Sequence, residues 1–286
     1  MAGLPRIIGS LDELTGGYAA LLCDVWGVVH NGERAFEGAN AALRRARERG
    51  LAVVLITNAP RPCGSVEAQL AALGVPPDAR DRVVTSGDVT RDLIRTAPRR
   101  VFHLGPERDM VIYEGIDVDL VEEPDAQAVV CTGLFDDDTE APEDYAPMLA
   151  RLRSRDLPFI CANPDIVVEK GDRLIFCAGA LARDYGQLGG RTAIAGKPHR
   201  PIYEAALGAA GEVLGRPVTA AETLAIGDGV LTDLRGAETN GIDALYVSGG
   251  IHAGEYGDPQ DPEPEKLAAF LGTHGHHPVA VIPRLR

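Results

Sequence analysis

"YAALLCDVWGVVHNG", residues 18–32, decides the fold. Tyr18 to Cys23 form a short apolar run, Asp24 follows at its exit, and Gly27 lets the chain turn away. A brief unbroken apolar run closed by a carboxylate and a glycine reads as a strand of a parallel sheet, buried on both faces. The same pattern recurs outward from it. "FEGANAALRRARERG" reads as a helix stopped by Gly50, and "LAVVLIT" as the next buried strand. "SVEAQLAALG" is a second helix with Ser65 as its N-cap and Gly74 as its stop, and "RVVTSG" is another strand. Later come "TAIAG", the long helix "RPIYEAALGAAGEVLG", the strand "TLAIGD", the helix "LTDLRGAETNG" and the strand "IDALYVSGG". Helices alternating with short strands predict an α/β fold with crossover units on a parallel sheet.

Residues 88–191 carry a strand–helix alternation of their own. Its strands are "RRVFHLG", "AQAVVCTG" and "LPFICAN", with "EDYAPMLARLRSRD" a helix between the last two. That length suffices for a small α/β domain inserted into the first. The expected division is therefore a core of 1–87 and 192–286 around an inserted 88–191. "EPEKLAAF" and "HHPVAVIPRLR" close the chain as a last helix and strand.

At 286 residues, with 45% hydrophobic and 24% charged residues, the composition is that of an ordinary soluble globular protein. A formal charge of −14 argues against a nucleic-acid partner, since phosphate backbones need a basic surface. It leaves room for small phosphorylated ligands, which need only local positive charge. No apolar run has the roughly 18 residues of a membrane span, and the N-terminus makes a poor signal peptide. Cys23, Cys63, Cys131, Cys161 and Cys177 are scattered without CxxC spacing, which suits core residues in a reducing cytoplasm. Monomer and homo-oligomer are both open.

Four segments fall where an open parallel sheet gathers its ligands, at the carboxyl ends of strands. They are Asp24, "TNAP" with Thr57 and Asn58, "AGKP" with Lys197, and "GDGVLTD" with Asp228 and Asp233. Singly, each is common turn or cap material. Together they make chemical sense. Asp24, Asp228 and Asp233 supply the hard oxygen donors by which Mg²⁺ is held. Lys197 would balance those charges and polarise a phosphoryl oxygen, and Thr57 with the Asn58 backbone would cradle the others. Asp24 is then free to attack phosphorus as a nucleophile.

In these segments the chain resembles the haloacid dehalogenase (HAD) superfamily, in particular its class IIA branch of NagD-like and nitrophenyl-phosphatase-like proteins. "DVWGVVHNG", "LITNAPRP", "CANPD", "AGKPHRPIYEAAL" and "IGDGVLTDLRGAETNGIDALYVSGG" carry the resemblance, the last with the GDxxxTDxxGAxxxG pattern. It implies a Rossmann-like HAD core, an inserted C2-type α/β cap, and a phosphatase of small phosphorylated metabolites. By resemblance Asp24 is nucleophile and metal ligand, Thr57 and Asn58 form the second motif, and Lys197 the third. Asp228 and Asp233 bind Mg²⁺ with Asp24 and the Trp26 backbone carbonyl. Asn163 and Asp165 of "NPD" sit where such caps approach the substrate.

One position departs from the pattern. Family phosphatases read Asp-x-Asp, the second acid protonating the leaving group, and here Trp26 stands in its place. An indole offers one N–H donor and no titratable proton. Trp26 either only packs or marks a retuned site, and for the retuned site three readings follow. The protein is a phosphohydrolase with an undemanding leaving group or another acid, His30 being the nearest titratable side chain. Or it is a catalytically weak phosphoryl-binding or regulatory protein. Or, since family dehalogenases carry an aromatic residue at this place, it displaces halide, which the retained metal-site acids and the cap type disfavour.

Other features carry less. His274, His276 and His277 in "GTHGHHP" have no neighbouring acid or Cys in sequence and read as a solvated loop. Asp136–Asp138 reads as a solvated charge run. "GDRLIFCAGALARDYG" lacks GxGxxG, so dinucleotide binding has no support. Arg61, just after the second motif, is placed to reach an anion or to lie on the surface.

Overall fold

The computed structural model describes residues 4–170 and 173–286. The chain folds into two compact units, one of residues 1–57, 67–84 and 203–286, the other of 58–66 and 85–202.

The first unit is built on six strands: β1 (Ala20–Asp24), β2 (Ala52–Thr57), β3 (Arg82–Thr85) and, far along the chain, three more. After the strands of the second unit come β11 (Thr223–Gly227), β12 (Asp243–Val247) and, past a two-residue pair β13 (Gly257–Asp258) and β14 (Asp261–Pro262), β15 (Ala280–Ile282). The order is β15-β12-β11-β1-β2-β3, and the pairings from β15 through to β2 are parallel. Every residue of β1, β2 and β11 is buried, as both-face coverage of a parallel sheet requires. The chain steps from β1 outward to β2 and β3, then returns to β11 on the other flank. That reversal puts the topological switch point between β1 and β11, where open α/β sheets bind ligands. Helices α1 (Glu37–Glu48), α2 (Cys63–Ala72), α6 (Arg200–Leu214), α7 (Arg235–Thr239) and α8 (Pro264–His274) accompany these strands.

The second unit has its own five-stranded parallel sheet. Its strands are β4 (Arg100–Leu104), β5 (Asp119–Leu120), β6 (Ala128–Cys131), β7 (Phe159–Cys161) and β10 (Thr192–Ile194), in the order β10-β7-β6-β4-β5. Between β7 and β10 the chain forms an antiparallel hairpin, β8 (Val167–Lys170) and β9 (Arg173–Phe176). Successive residues of β6 and β7 face opposite sides: Val129, Cys131, Phe159 and Cys161 join one apolar cluster, and Val130 and Ile160 the other. Helices α4 (Ala146–Ser154) and α5 (Ala178–Gln187) contribute to the first cluster, and α3 (Ser86–Thr96) to the second.

Several local expectations change. The helix expected to start after Ser65 begins at Cys63, and its first N–H is capped from a distance by Asp88 Oδ2 at 2.9 Å. "RVVTSG" is a strand only to Thr85, whose hydroxyl accepts from the Asp88 N–H at 2.9 Å and starts α3 at once. The "TAIAG" strand pairs with β7 in the second sheet, not with β1 or β11. A core of 1–87 and 192–286 around an inserted 88–191 is our proposal for the domain division; the compact units meet at 57/58, 66/67, 84/85 and 202/203.

His276 is buried rather than solvated, with Nδ1 2.7 Å from Glu238 Oε2. Four of the five cysteines are buried, as expected of core residues, and none of the five is in a disulfide. Burial pushes the Cys161 thiol up to about 12, and Cys131 and Cys177 also well above the ordinary thiol range. Asp137 and Asp138 pair with Arg108 and Arg173. Among the described residues, no helix is long and apolar enough to cross a membrane.

Candidate active site

At the switch point the first unit gathers Asp24, Asp228 and Asp233. All three are buried, and each offers a carboxylate oxygen within 4.8 Å of the other two. Like charges so close and so shielded repel strongly unless a cation lies among them. Three hard oxygen donors on separate segments are what Mg²⁺ takes, with waters completing its shell. The residues present therefore fit a divalent cation.

Each carboxylate is aimed by its own backbone. Asp24 ends β1, beside Ile56 of β2, and its Oδ1 accepts from the Val25 N–H at 2.7 Å. Thr57, the last residue of β2, follows that pair and is buried. Asp228 follows β11, and its Oδ2 accepts from the Ile251 N–H at 3.0 Å. A Cβ on Gly27 or Gly250 would lie 2.0 or 1.9 Å from Asp228 Oδ2, so only glycine backbone can approach the carboxylate there. Asp233 sits in a π-helical turn, Val230–Leu234, whose wider winding points it back at its own loop. Its Oδ2 accepts from the Gly229 N–H at 3.0 Å. The Tyr203 hydroxyl of α6 reaches the Thr232 and Asp233 carbonyls at 3.4 and 3.5 Å and holds the turn from behind. Tyr246 feels the acids: burial chiefly, then Tyr256 and the charges of Asp228 and Asp233, push its phenol far up.

Trp26 stands two residues after Asp24 and is half-buried. Its indole lies against Gly32, where a Cβ would come within 2.6 Å of the ring. His30 meets it edge-on, ring centroids 4.9 Å apart at 71°. The loop is closed by the Gly27 N–H donating to the His30 carbonyl at 2.9 Å and by Gly27 at φ +74°. His30 itself is buried, and its Nδ1 accepts from the Gly32 N–H at 2.9 Å, which fixes the Nε2–H tautomer. Burial lowers its pKa to about 4, so the imidazole is neutral at neutral pH and is a poor replacement for the absent acid.

That depressed value has a consequence for stability. The unfolded chain takes up the His30 proton near pH 6.5, the native state only near pH 4. The stabilising contribution is thus complete above pH 6.5, falls away between 6.5 and about 4, and is flat below. A shift of this size corresponds to roughly 3 kcal/mol. In chelator-treated protein, urea unfolding of wild type and His30→Gln should differ in pH dependence across that window. Parallel profiles would refute the assignment.

In the second unit, Asn58, Asn163, Asp165 and Lys197 form one hydrogen-bonded group. Asn58 Nδ2 donates to Asp165 Oδ1 at 2.9 Å and to the Lys197 carbonyl at 3.1 Å, while Asn58 Oδ1 accepts from the Lys197 N–H at 2.7 Å. Asn163 Oδ1 accepts from the Asp165 N–H at 3.1 Å. A Cβ on Gly196 would lie 2.6 Å from Asn58 Oδ1, so this glycine is what lets the Lys197 backbone approach. The Asn58 side chain thus holds the Lys197 segment and the "NPD" loop together. Arg61 is directed at Asp109, Nε to Oδ1 3.8 Å, and burial raises that carboxyl's pKa against the pull of Arg108 and Arg61. Gly250, Ile251, Tyr203 and Gly196 do not stand out in the sequence; only "SGG" and "AG" hint at close backbone approach.

Family models match two stretches, one described as haloacid dehalogenase-like hydrolase over residues 21–119 and one as HAD-hydrolase-like over 194–273. A solved hydrolase of the haloacid dehalogenase-like family from Brucella suis 1330 is 59% identical, with a TM-score of 0.89, covering 99% of this chain and 100% of its own. Ribonucleotide monophosphatase NagD of Escherichia coli (strain K12) is 27% identical over 237 residues, 81% of this chain and 88% of NagD. The structure of a 4-nitrophenylphosphatase from Thermotoga maritima shares the fold, with a TM-score of 0.69 at 22% identity over 93% and 94% of the two chains. The chain belongs to the haloacid dehalogenase superfamily of hydrolases, in its class IIA, NagD-like branch.

Proposed function

We propose that the protein is a Mg²⁺-dependent phosphatase of small phosphorylated metabolites, working through an aspartyl-phosphate on Asp24. The convergence of Asp24, Asp228 and Asp233 carries this reading. NagD, the curated relative, is named a ribonucleotide monophosphatase, which favours phosphate monoesters as substrates.

Asp24, Asp228, Asp233 and the Trp26 carbonyl would hold the cation. When bound, Mg²⁺ screens the carboxylates from the anionic phosphate and stabilises charge on its oxygens. Asp24 attacks phosphorus as the P–O bond to the leaving group breaks, the departing oxygen taking its proton from water; a second water then cleaves the acyl phosphate, releasing inorganic phosphate and returning the carboxylate. Thr57 offers a hydroxyl donor to the phosphoryl group and Lys197 its ammonium. Asn58 presents backbone, its side chain being committed to Lys197 and Asp165. Asn163 and Asp165 belong to the loop proposed to meet the substrate.

With Trp26 in the acid's place, the leaving group departs without a side-chain proton donor. Substrates whose leaving group is already a weak base should therefore turn over best. Phosphate release from acyl, aryl and alkyl phosphates, with Mg²⁺ and after chelation, tests this. The expected result is Mg²⁺-dependent release that is rapid for acyl and aryl phosphates and slower by roughly 10² or more for alkyl ones. Equal rates across the series would require another acid. Tight binding without turnover anywhere would favour a phosphoryl-binding, regulatory protein, the reading that Trp26 itself invites.

A further inference from the structure

Arg284 lies just past β15, at the carboxyl edge of the first unit's sheet and beyond the matched family segment 194–273. Three contacts define it. Its Nη1 donates to the Gly27 carbonyl at 3.5 Å. Its guanidinium carbon sits 5.2 Å from the Phe36 ring centroid, in cation–π range. Its Nε packs on Gly249, where a Cβ would lie only 2.9 Å away. Gly249 is itself tied to this terminus, its N–H donating to the Pro283 carbonyl at 2.8 Å.

These contacts join two loops that both close on the Asp228 carboxylate. Gly27 belongs to the turn that follows Asp24 and lies against Asp228 Oδ2. Gly249 precedes Gly250 and Ile251, which bracket the same carboxylate. Peptide planarity extends the effect. The Trp26 carbonyl shares its plane with the Gly27 N–H and points the opposite way. With that N–H given to the His30 carbonyl and the Gly27 carbonyl engaged by Arg284, the peptides on both sides of Gly27 are pinned. We infer that Arg284 is a positioning residue that aligns the Asp24–Gly27 loop with Asp228 for the divalent cation. It acts through Gly27 and Gly249 and need not touch substrate. The inference rests on the proposed Mg²⁺ site.

A plain anchoring of the C-terminus would predict lower stability and nothing more. A positioning role predicts weaker metal binding, because residues that orient metal ligands typically matter about 10- to 100-fold in affinity. Lysine should not restore it: a compact ammonium cannot span Gly27, Gly249 and the Phe36 face as the planar fork does. The test is calorimetric titration of Mg²⁺ into the folded full-length protein, comparing wild type with Arg284→Lys, Arg284→Gln and Phe36→Leu. The expected result is a dissociation constant raised about tenfold in both Arg284 variants and less in Phe36→Leu, with substrate KM at saturating Mg²⁺ unchanged. Should Arg284→Gln not fold, Arg284→Lys and Phe36→Leu decide. Affinity within about twofold of wild type, even with a lowered melting temperature, overturns the inference while leaving the metal site standing. A wild type that takes up no Mg²⁺ overturns both.

Discussion

Replacing Asp24 by Asn is expected to lower turnover by roughly 10⁴-fold or more and to leave the fold in place. Asn matches Asp in shape, and its amide oxygen can still accept from the Val25 N–H that now holds Oδ1 at 2.7 Å. What disappears is the anion proposed to attack phosphorus. The site also loses one of its three negative charges, so the proposed Mg²⁺ binding should weaken, but Asp228 and Asp233 remain. Asp228→Asn makes the complementary loss, sparing the proposed nucleophile while weakening the hold on the proposed cation. Excess Mg²⁺ should therefore recover activity in Asp228→Asn and not in Asp24→Asn. Hydroxylamine added during turnover gives an independent readout, converting an aspartyl-phosphate to a hydroxamate at residue 24 in wild type and not in Asp24→Asn. An Asp24→Asn protein retaining more than about a hundredth of wild-type activity would exclude covalent catalysis at this residue.

How much of this is legible in the sequence follows from the range of the interactions. Strands such as "YAALLCD" and "TLAIGD" are legible because parallel strands buried on both faces are continuous apolar runs, whatever their neighbours. Their carboxyl ends mark the ligand edge of any open α/β sheet, which is why Asp24 and Asp228 can be paired although far apart in the chain. Asp233 is reached by its motif, but the π-helical turn that aims it has no local signal. The start of helix α2 is misplaced because its cap is Asp88, in another segment, and not Ser65. Helix α3 is hidden where "VVTSGDV" passes from strand to helix with no loop between. The strand Thr192–Ile194 has no local mark of its sheet, and β7 proves to be its partner. His276 reads as solvated because Glu238, which bonds it, lies far away in sequence. Apart from α3, long-range partners account for these differences.

Trp26→Asp should raise alkyl phosphate hydrolysis by roughly 10²- to 10⁴-fold, the usual contribution of a placed general acid–base. The gain on acyl phosphates should be small, since their leaving groups need no proton. Position 26 already lies on the loop that leaves Asp24, with Gly27 and the His30 carbonyl fixing its backbone, so a shorter side chain would inherit the same direction of departure. The indole's present contacts with Gly32 and His30 would be lost, and an edge-to-face pair of this kind is worth about 1 kcal/mol beyond its buried area. A carboxylate arriving beside His30 would also favour the imidazolium, raising a pKa now held at about 4 by burial. The first effect lowers stability and the second shifts its pH dependence, and neither touches Asp228 or Asp233. Trp26→Asn removes the same volume and supplies no acid, so it isolates the chemistry. If Trp26→Asp accelerates alkyl esters and Trp26→Asn does not, the wild-type site lacks a proton donor and Trp26 restricts the enzyme to good leaving groups. If the two variants behave alike, some other group already protonates the departing oxygen, and the indole serves the loop's packing alone.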